Sequence, residues 1–248
     1  MKTIQNCLAT AFTAAFTTAF IAATSATSFG QTTVTITTGD SASTVTRTEK
    51  FTKKADRVTT DFSVYLGLNG FGNSLPSAYD LRPIGSRFVA LSWQKRIPVA
   101  TSGTTKIRLV TGPEVAWNNF MFENNTVLTD RNGQVTAETA SIPLRKSKFV
   151  TTQLNLPLMV NVALKSGFSI GVGAYAGIRL DSYTAQKPDN GRTIRTHGAF
   201  ELNPVRWGLT TELGFRGCSK LFVRYEPNSP FRAGQTPDSS VWAVGVKL

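Results

Sequence analysis

A period-two alternation of apolar and polar residues runs from about Val58 to the C-terminus, and it constrains this chain more than any other feature. Residues two apart share one face of a β-strand, whereas an amphipathic helix repeats at three and four, so the pattern calls for half-buried strands. Eight segments carry it, at 58–69, 86–97, 105–123, 145–164, 167–185, 203–216, 219–228 and 240–248. In the fourth, Leu154, Leu156, Leu158, Val160, Val162 and Leu164 share a face, with Gln153, Asn155 and Asn161 between them. In the sixth, Val205, Trp207, Leu209, Leu213 and Phe215 alternate with Arg206, Thr210, Glu212 and Arg216. In the first, Phe62, Val64, Leu66 and Leu68 oppose Asp61, Ser63, Tyr65 and Asn69.

The connections sort by length. Long ones (70–85, 124–144, 186–202, 229–239) alternate with short ones (98–104, Lys165-Ser166, Gly217-Cys218) without exception. A soluble sandwich has no reason to gather its long loops at one end; a barrel crossing an outer membrane does, with short turns inside and long loops outside. The expected fold is all-β, an eight-stranded antiparallel up-and-down transmembrane β-barrel over residues 58–248, in the cell outer membrane. Asn132-Gly133 and Asn190-Gly191 supply turn chemistry within the long loops.

Residues 1–30 read as a secretory signal peptide that is cleaved. Lys2 gives a basic start, Leu8 to Ala23 is uncharged, and the small residues Ala26-Thr27-Ser28 suit cleavage after Ser28 or Gly30. Residues 31–57, rich in Thr and Ser and ending in Lys50, Lys53, Lys54 and Arg57, are expected to be a flexible periplasmic segment. Cys7 leaves with the signal, so Cys218 has no partner for an internal disulfide. Lys2 is the only charge in 1–30, so the net charge of +12 becomes +11 after cleavage. Export argues against a nucleic-acid partner. The anionic neighbours implied are outer-membrane lipid and lipopolysaccharide phosphates.

Charge and size decide which face meets lipid. Eight strands enclose room for side chains only. The polar parity carries Asp61, Arg108, Glu114, Arg179, Asp181, Arg206, Glu212, Arg224 and Glu226, with Arg96, Lys106 and Arg216, a mixture able to pair inside a plugged lumen. The apolar parity carries all four tryptophans. Trp117, Trp207 and Trp242 fall toward the long loops, and Trp93, Phe168 and Phe215, with Phe62, toward the short turns, as two membrane interfaces favour. Arg145, Lys146 and Lys148, where loop 124–144 enters the fourth strand, are candidate contacts for lipopolysaccharide phosphates, set against an ordinary solvated cluster.

Five stretches stand out in order along the chain: Gly112-Pro113-Glu114-Val115-Ala116-Trp117-Asn118-Asn119-Phe120-Met121-Phe122, Lys146-Ser147-Lys148-Phe149-Val150 leading into Leu154-Asn155-Leu156-Pro157-Leu158, and Gly171-Val172-Gly173-Ala174-Tyr175-Ala176-Gly177-Ile178-Arg179-Leu180, then Leu221-Phe222-Val223-Arg224-Tyr225 and Val244-Gly245-Val246. In sequence and spacing they resemble the PorT-like outer-membrane β-barrel proteins of Bacteroidota. The resemblance covers roughly 58–248 and implies an eight-stranded barrel inserted by the outer-membrane assembly machinery, with no catalytic residues. A few such proteins are linked to protein secretion. Barrels of this kind often finish on an aromatic residue, and this chain finishes on Leu248.

Other chemistry is thin. His197, the sole histidine, could approach Ser182 as in a lipid A deacylase, but a lone loop histidine is more often solvated. Gly171, Gly173 and Gly177 do not match a dinucleotide fingerprint, and one histidine with one surviving cysteine gives no metal-ligand spacing. No catalytic, cofactor or metal site is expected. Three readings stand: a non-enzymatic barrel serving envelope structure, surface interaction through its long loops or secretion support; a membrane-bound lipid-modifying enzyme; and a soluble periplasmic barrel holding a small apolar ligand.

Overall fold

Alternating strands with one greasy and one polar face leave no stable open edge in lipid, where unpaired backbone groups find no water. The chain solves this by closing. A computed structural model describes residues 57–72, 75–102, 104–131, 134–215, 219–232 and 238–248. The signal-peptide and lead-in readings of 1–56, the Asn132-Gly133 turn, Arg216 and Cys218 lie outside the described residues.

The strands are β1 (Thr59–Gly72), β2 (Arg87–Ser102), β3 (Thr105–Thr111), β4 (Glu114–Met121), β5 (Thr126–Arg131), β6 (Gln134–Thr139), β7 (Leu144–Leu164), β8 (Ser169–Pro188), β9 (Ile194–His197), β10 (Val205–Gly214), β11 (Lys220–Glu226) and β12 (Ser240–Lys247). Each barrel strand pairs antiparallel with its sequence neighbours, and β1 pairs with β12 to shut the ring. Reciprocal backbone hydrogen bonds between Val64 and Leu248, at 3.1 and 2.8 Å, complete the seam at the last residue.

The expected third segment, 105–123, is one barrel strand in two pieces. Gly112-Pro113 separates β3 from β4, yet both halves pair with β2 and β7, so the barrel still has eight strands. Pro113 has no N–H for the ladder. Gly112 takes φ +146°, and a Cβ there would lie 2.0 Å from the Trp93 carbonyl oxygen, so only glycine fits.

The long connections are more structured than loops. β5 and β6 form a hairpin inside 124–144, β9 adds to the upper edge of β8, and a 3-10 turn occupies Ser77–Tyr79. β7 and β8 pair from Ala163↔Ser169 to Leu144↔Pro188, well beyond the nine to eleven residues a tilted strand needs to cross lipid.

Outward-facing side chains are apolar through the middle of the barrel. Phe62 (64 % exposed), Trp93 (62 %), Leu154, Leu156, Val160, Val172, Ile178, Leu209 and Val244 all face outward. The leucines of 154–164 therefore point away from the lumen. A soluble ligand-binding barrel would bury them, so that reading is overturned.

Candidate functional site

The lumen is built from the opposite parity, and Arg224 sits at its centre. Its guanidinium donates to both Glu114 carboxylate oxygens, Nη1 at 2.6 Å and Nη2 at 2.7 Å, and Asn155 Nδ2 donates to the same carboxylate at 3.1 Å. The guanidinium also lies over the rings of Tyr65, Phe88, Tyr175 and Phe222, 4.7 to 5.9 Å from their centroids. Such planar, weakly hydrated cations suit desolvated sites of this kind.

Two branches leave this hub. On one, the Tyr175 hydroxyl donates to Glu226 at 2.8 Å, Glu226 pairs with Arg206, and the Gln153 carboxamide lies 2.8 Å from Arg206 Nη1. On the other, the Tyr65 hydroxyl donates to Glu212 at 2.6 Å and accepts from Gln94 Nε2 at 2.7 Å. Lys247 Nζ donates to Gln94 and to both Glu212 oxygens at 2.7 to 2.9 Å. All eight barrel strands contribute a member. A void of about 10 Å³ beside Phe88, Tyr175, Arg224 and Ala243 has room for one water and no more.

At the short-turn mouth Arg96 Nε meets Asp61 at 3.0 Å, and Arg108 and Lys220 stand in the same group. The structure thus brings Glu114, Arg206, Glu212, Arg224 and Glu226 into one buried network, and sets Asp61 and Arg108 at its lower end. It does not bring in Arg179 or Asp181. Leu180 is a bulge in β8: Gln153 pairs with Arg179 and Thr152 with Asp181, so Leu180 and Asp181 both face outward. Asp181 meets His197 Nδ1 on the exterior at 3.2 Å. Arg179 donates to Ser182 Oγ at 3.2 Å and to the Ala199 carbonyl at the long-loop mouth.

Sequence reading passed over Lys247, although its place between Val246 and Leu248 puts it on the polar parity. Tyr65, Phe88, Tyr175 and Phe222 give less signal, because an aromatic residue is at home on either face.

Above this network the inner surface changes character. Asn69, Asn118, Thr151 and Ala243 form one inward row, and the next inward residues on the same strands are Phe71, Phe120, Phe149 and Val241. These join Leu128, Val135, Phe200, Leu202 and Phe231, from three of the long loops, in one buried cluster against which Tyr79 and Leu81 of the fourth loop pack. Burial raises the Tyr79 hydroxyl pKa above its ordinary value. Consecutive positive φ angles at Phe200 (47°) and Glu201 (43°) turn the Phe200 ring into the cluster.

On the exterior, Phe168 and Phe215 pack edge to face at 5.6 Å near the short turns, where Phe62 pairs with Trp93. Trp117, Trp207 and Trp242 sit toward the long loops, and Trp242 Nε1 donates to the Phe71 carbonyl at 3.1 Å. Lys146 is exposed and Lys148 half-buried at the loop end; burial, Lys146 and Arg87 together lower the Lys148 pKa. Arg145 lies in a bulge between Leu144 and Lys146. Ser182 is buried and donates to the Gly198 carbonyl at 2.5 Å, on the opposite side of β8 from His197, which rests against Tyr183. The two do not form a nucleophile–base pair. Among the described residues no group of three or more His, Cys, Asp or Glu could hold a metal ion.

Among curated proteins, none matches this sequence. The sequence does match, over residues 34–226, the family described as outer membrane protein beta-barrel domain. That span takes in every barrel strand except β12, and most of the chain. An exterior of lipid-facing apolar side chains, a closed ring of eight strands and this match agree: the chain belongs to the outer membrane protein beta-barrel domain family.

Proposed function

We propose that this protein is a PorT-like, non-enzymatic barrel that works through its outer surface, in envelope structure, surface interaction or secretion support, rather than by conducting solutes. The observation that carries the reading is the lumen, blocked by an ion-pair network drawn from all eight strands and again by an apolar cluster at the loop mouth. A porin needs an aqueous path, and an eight-stranded ring has room for side chains alone. The Gly112–Phe122 and Gly171–Leu180 stretches support the PorT-like assignment. In this reading the first thirty residues are a cleaved signal, the outer-membrane assembly machinery inserts the barrel, and a protein partner engages the long loops.

Proteoliposomes carrying the purified chain test it. No swelling is expected in any permeant sugar, and lipid A acylation is expected to be the same with wild type and with His197→Ala. Sugar-dependent swelling would overturn the sealed-barrel reading, and acyl loss that needs His197 would overturn the non-enzymatic one.

A further inference from the structure

Above the apolar band, the outer face of the long-loop end turns cationic. Trp117 pairs with Thr152, which pairs with Asp181. Two residues higher, Asn119 lies between Arg87 and Val150, and Val150 pairs with Tyr183. Two higher again, Lys148 pairs with Ala185, which pairs with Arg195. Above that, Lys146 stands opposite Lys187.

Cross-strand partners project to the same side of a sheet, so Arg87, Lys146, Lys148, Lys187 and Arg195 share the exterior face. Arg87, Lys146 and Arg195 are exposed, and Lys148 and Lys187 partly so. Among the described residues no carboxylate lies within ion-pair distance of any of the five. Lysines placed directly opposite each other destabilise a sheet unless an anion compensates them. The Arg195 guanidinium rests over the Tyr183 ring at 5.6 Å, which limits its freedom and leaves its outer edge free to donate.

Depth supports one occupant. The cationic rows begin two to four residues above Trp117, about 7–13 Å along the strand, or roughly 5–10 Å along the normal at a 40° tilt. The headgroup layer is about 5–8 Å deep on each side of the hydrocarbon. Arg87, Lys148 and Arg195 stand where lipid phosphates lie, and Lys146 and Lys187, a further two residues up the strands, reach outward beyond them.

We propose that this face binds the phosphorylated headgroups of outer-leaflet lipids, with Arg87, Lys148 and Arg195 gripping the phosphates and Lys146 and Lys187 extending the contact outward. Arg145, held in its bulge, is not part of the row. The inference rests on the membrane-barrel reading and adds a ligand class to it.

The full chain in nanodiscs of zwitterionic lipid is titrated with bisphosphorylated lipid A, its dephosphorylated form and inorganic phosphate. Lipid A is expected to bind, and Lys146→Gln with Lys148→Gln to weaken binding about thirty-fold, near five-fold per cation. Lys95→Gln, outward at the opposite end, should change it less than two-fold. Equal affinity for the dephosphorylated lipid, an unaffected double variant, or competition by free phosphate at matching concentration would each overturn the site. Heat-modifiable migration is read in parallel. A chain that fails to insert overturns the membrane reading itself, whereas an inserted chain indifferent to phosphate overturns this site alone.

Discussion

Arg224 presents its guanidinium to one carboxylate and four aromatic faces, and Glu114 is the only one of these that neutralises it. Removing one member of such a buried pair leaves a charge without compensation, at a cost of about 3–5 kcal/mol, whereas replacing both by apolar residues costs far less. Glu114→Gln should therefore lose about 3 kcal/mol in urea-driven unfolding from lipid vesicles. Glu114→Leu combined with Arg224→Met should lose under about 2 kcal/mol. A double variant as unstable as the single one would show that the rings around Arg224, not the ion pair, hold the lumen together. At this scale parity was a good guide: Glu114, Arg206, Glu212, Arg224 and Glu226 were legible because charges on the lumen side of a membrane strand need partners. Phe88 and Phe222 were not, since nothing local distinguishes an aromatic that covers a guanidinium from one that faces lipid.

At the scale of the element, β8 holds the main departure from strict alternation. Reading period two through Leu180 places Asp181 inside; the bulge places it outside and turns Ser182 and Thr184 inward. One extra residue reverses every side chain beyond it, and sequence alone does not reveal where a strand absorbs one. Deleting Leu180 should then straighten β8 while preserving Gln153↔Arg179 and Thr152↔Asp181, leaving a heat-modifiable barrel within about 1.5 kcal/mol of wild type, the contribution of one exposed lipid-facing side chain. Deleting Leu156 from the bulge-free middle of β7 should instead abolish the folded band on an unheated gel, because half the strand changes face. If both deletions folded alike, register in this sheet would be set elsewhere. The β5–β6 hairpin and β9 were equally hidden: 124–144 and 186–202 read as loops because their polar, glycine-marked sequences carry little alternation; Leu128 and Val135 anchor the hairpin in the cluster around Phe149, whereas the exposed β9 is held by its ladder with the upper end of β8.

For the molecule as a whole, the count of strands, their closure and their apolar exterior were legible, because lipid admits only a closed ring with that polarity. The second seal was not, since it is assembled from long loops distant in sequence. Two barriers in series make a specific expectation. Phe149→Ala, which hollows the upper cluster, should still give no swelling in sugar-loaded proteoliposomes, because the ionic layer beneath remains intact. Leakage from that variant would mean that the lower network is permeable on its own. The change from polar to apolar lining between Asn118 and Phe120 also divides the thermal behaviour of the barrel. Hydrophobic contacts weaken on cooling, and those of the mouth are the ones set against water. A bacterium moved into the cold would thus find the extracellular crown loosening while the shaft within the bilayer kept its shape.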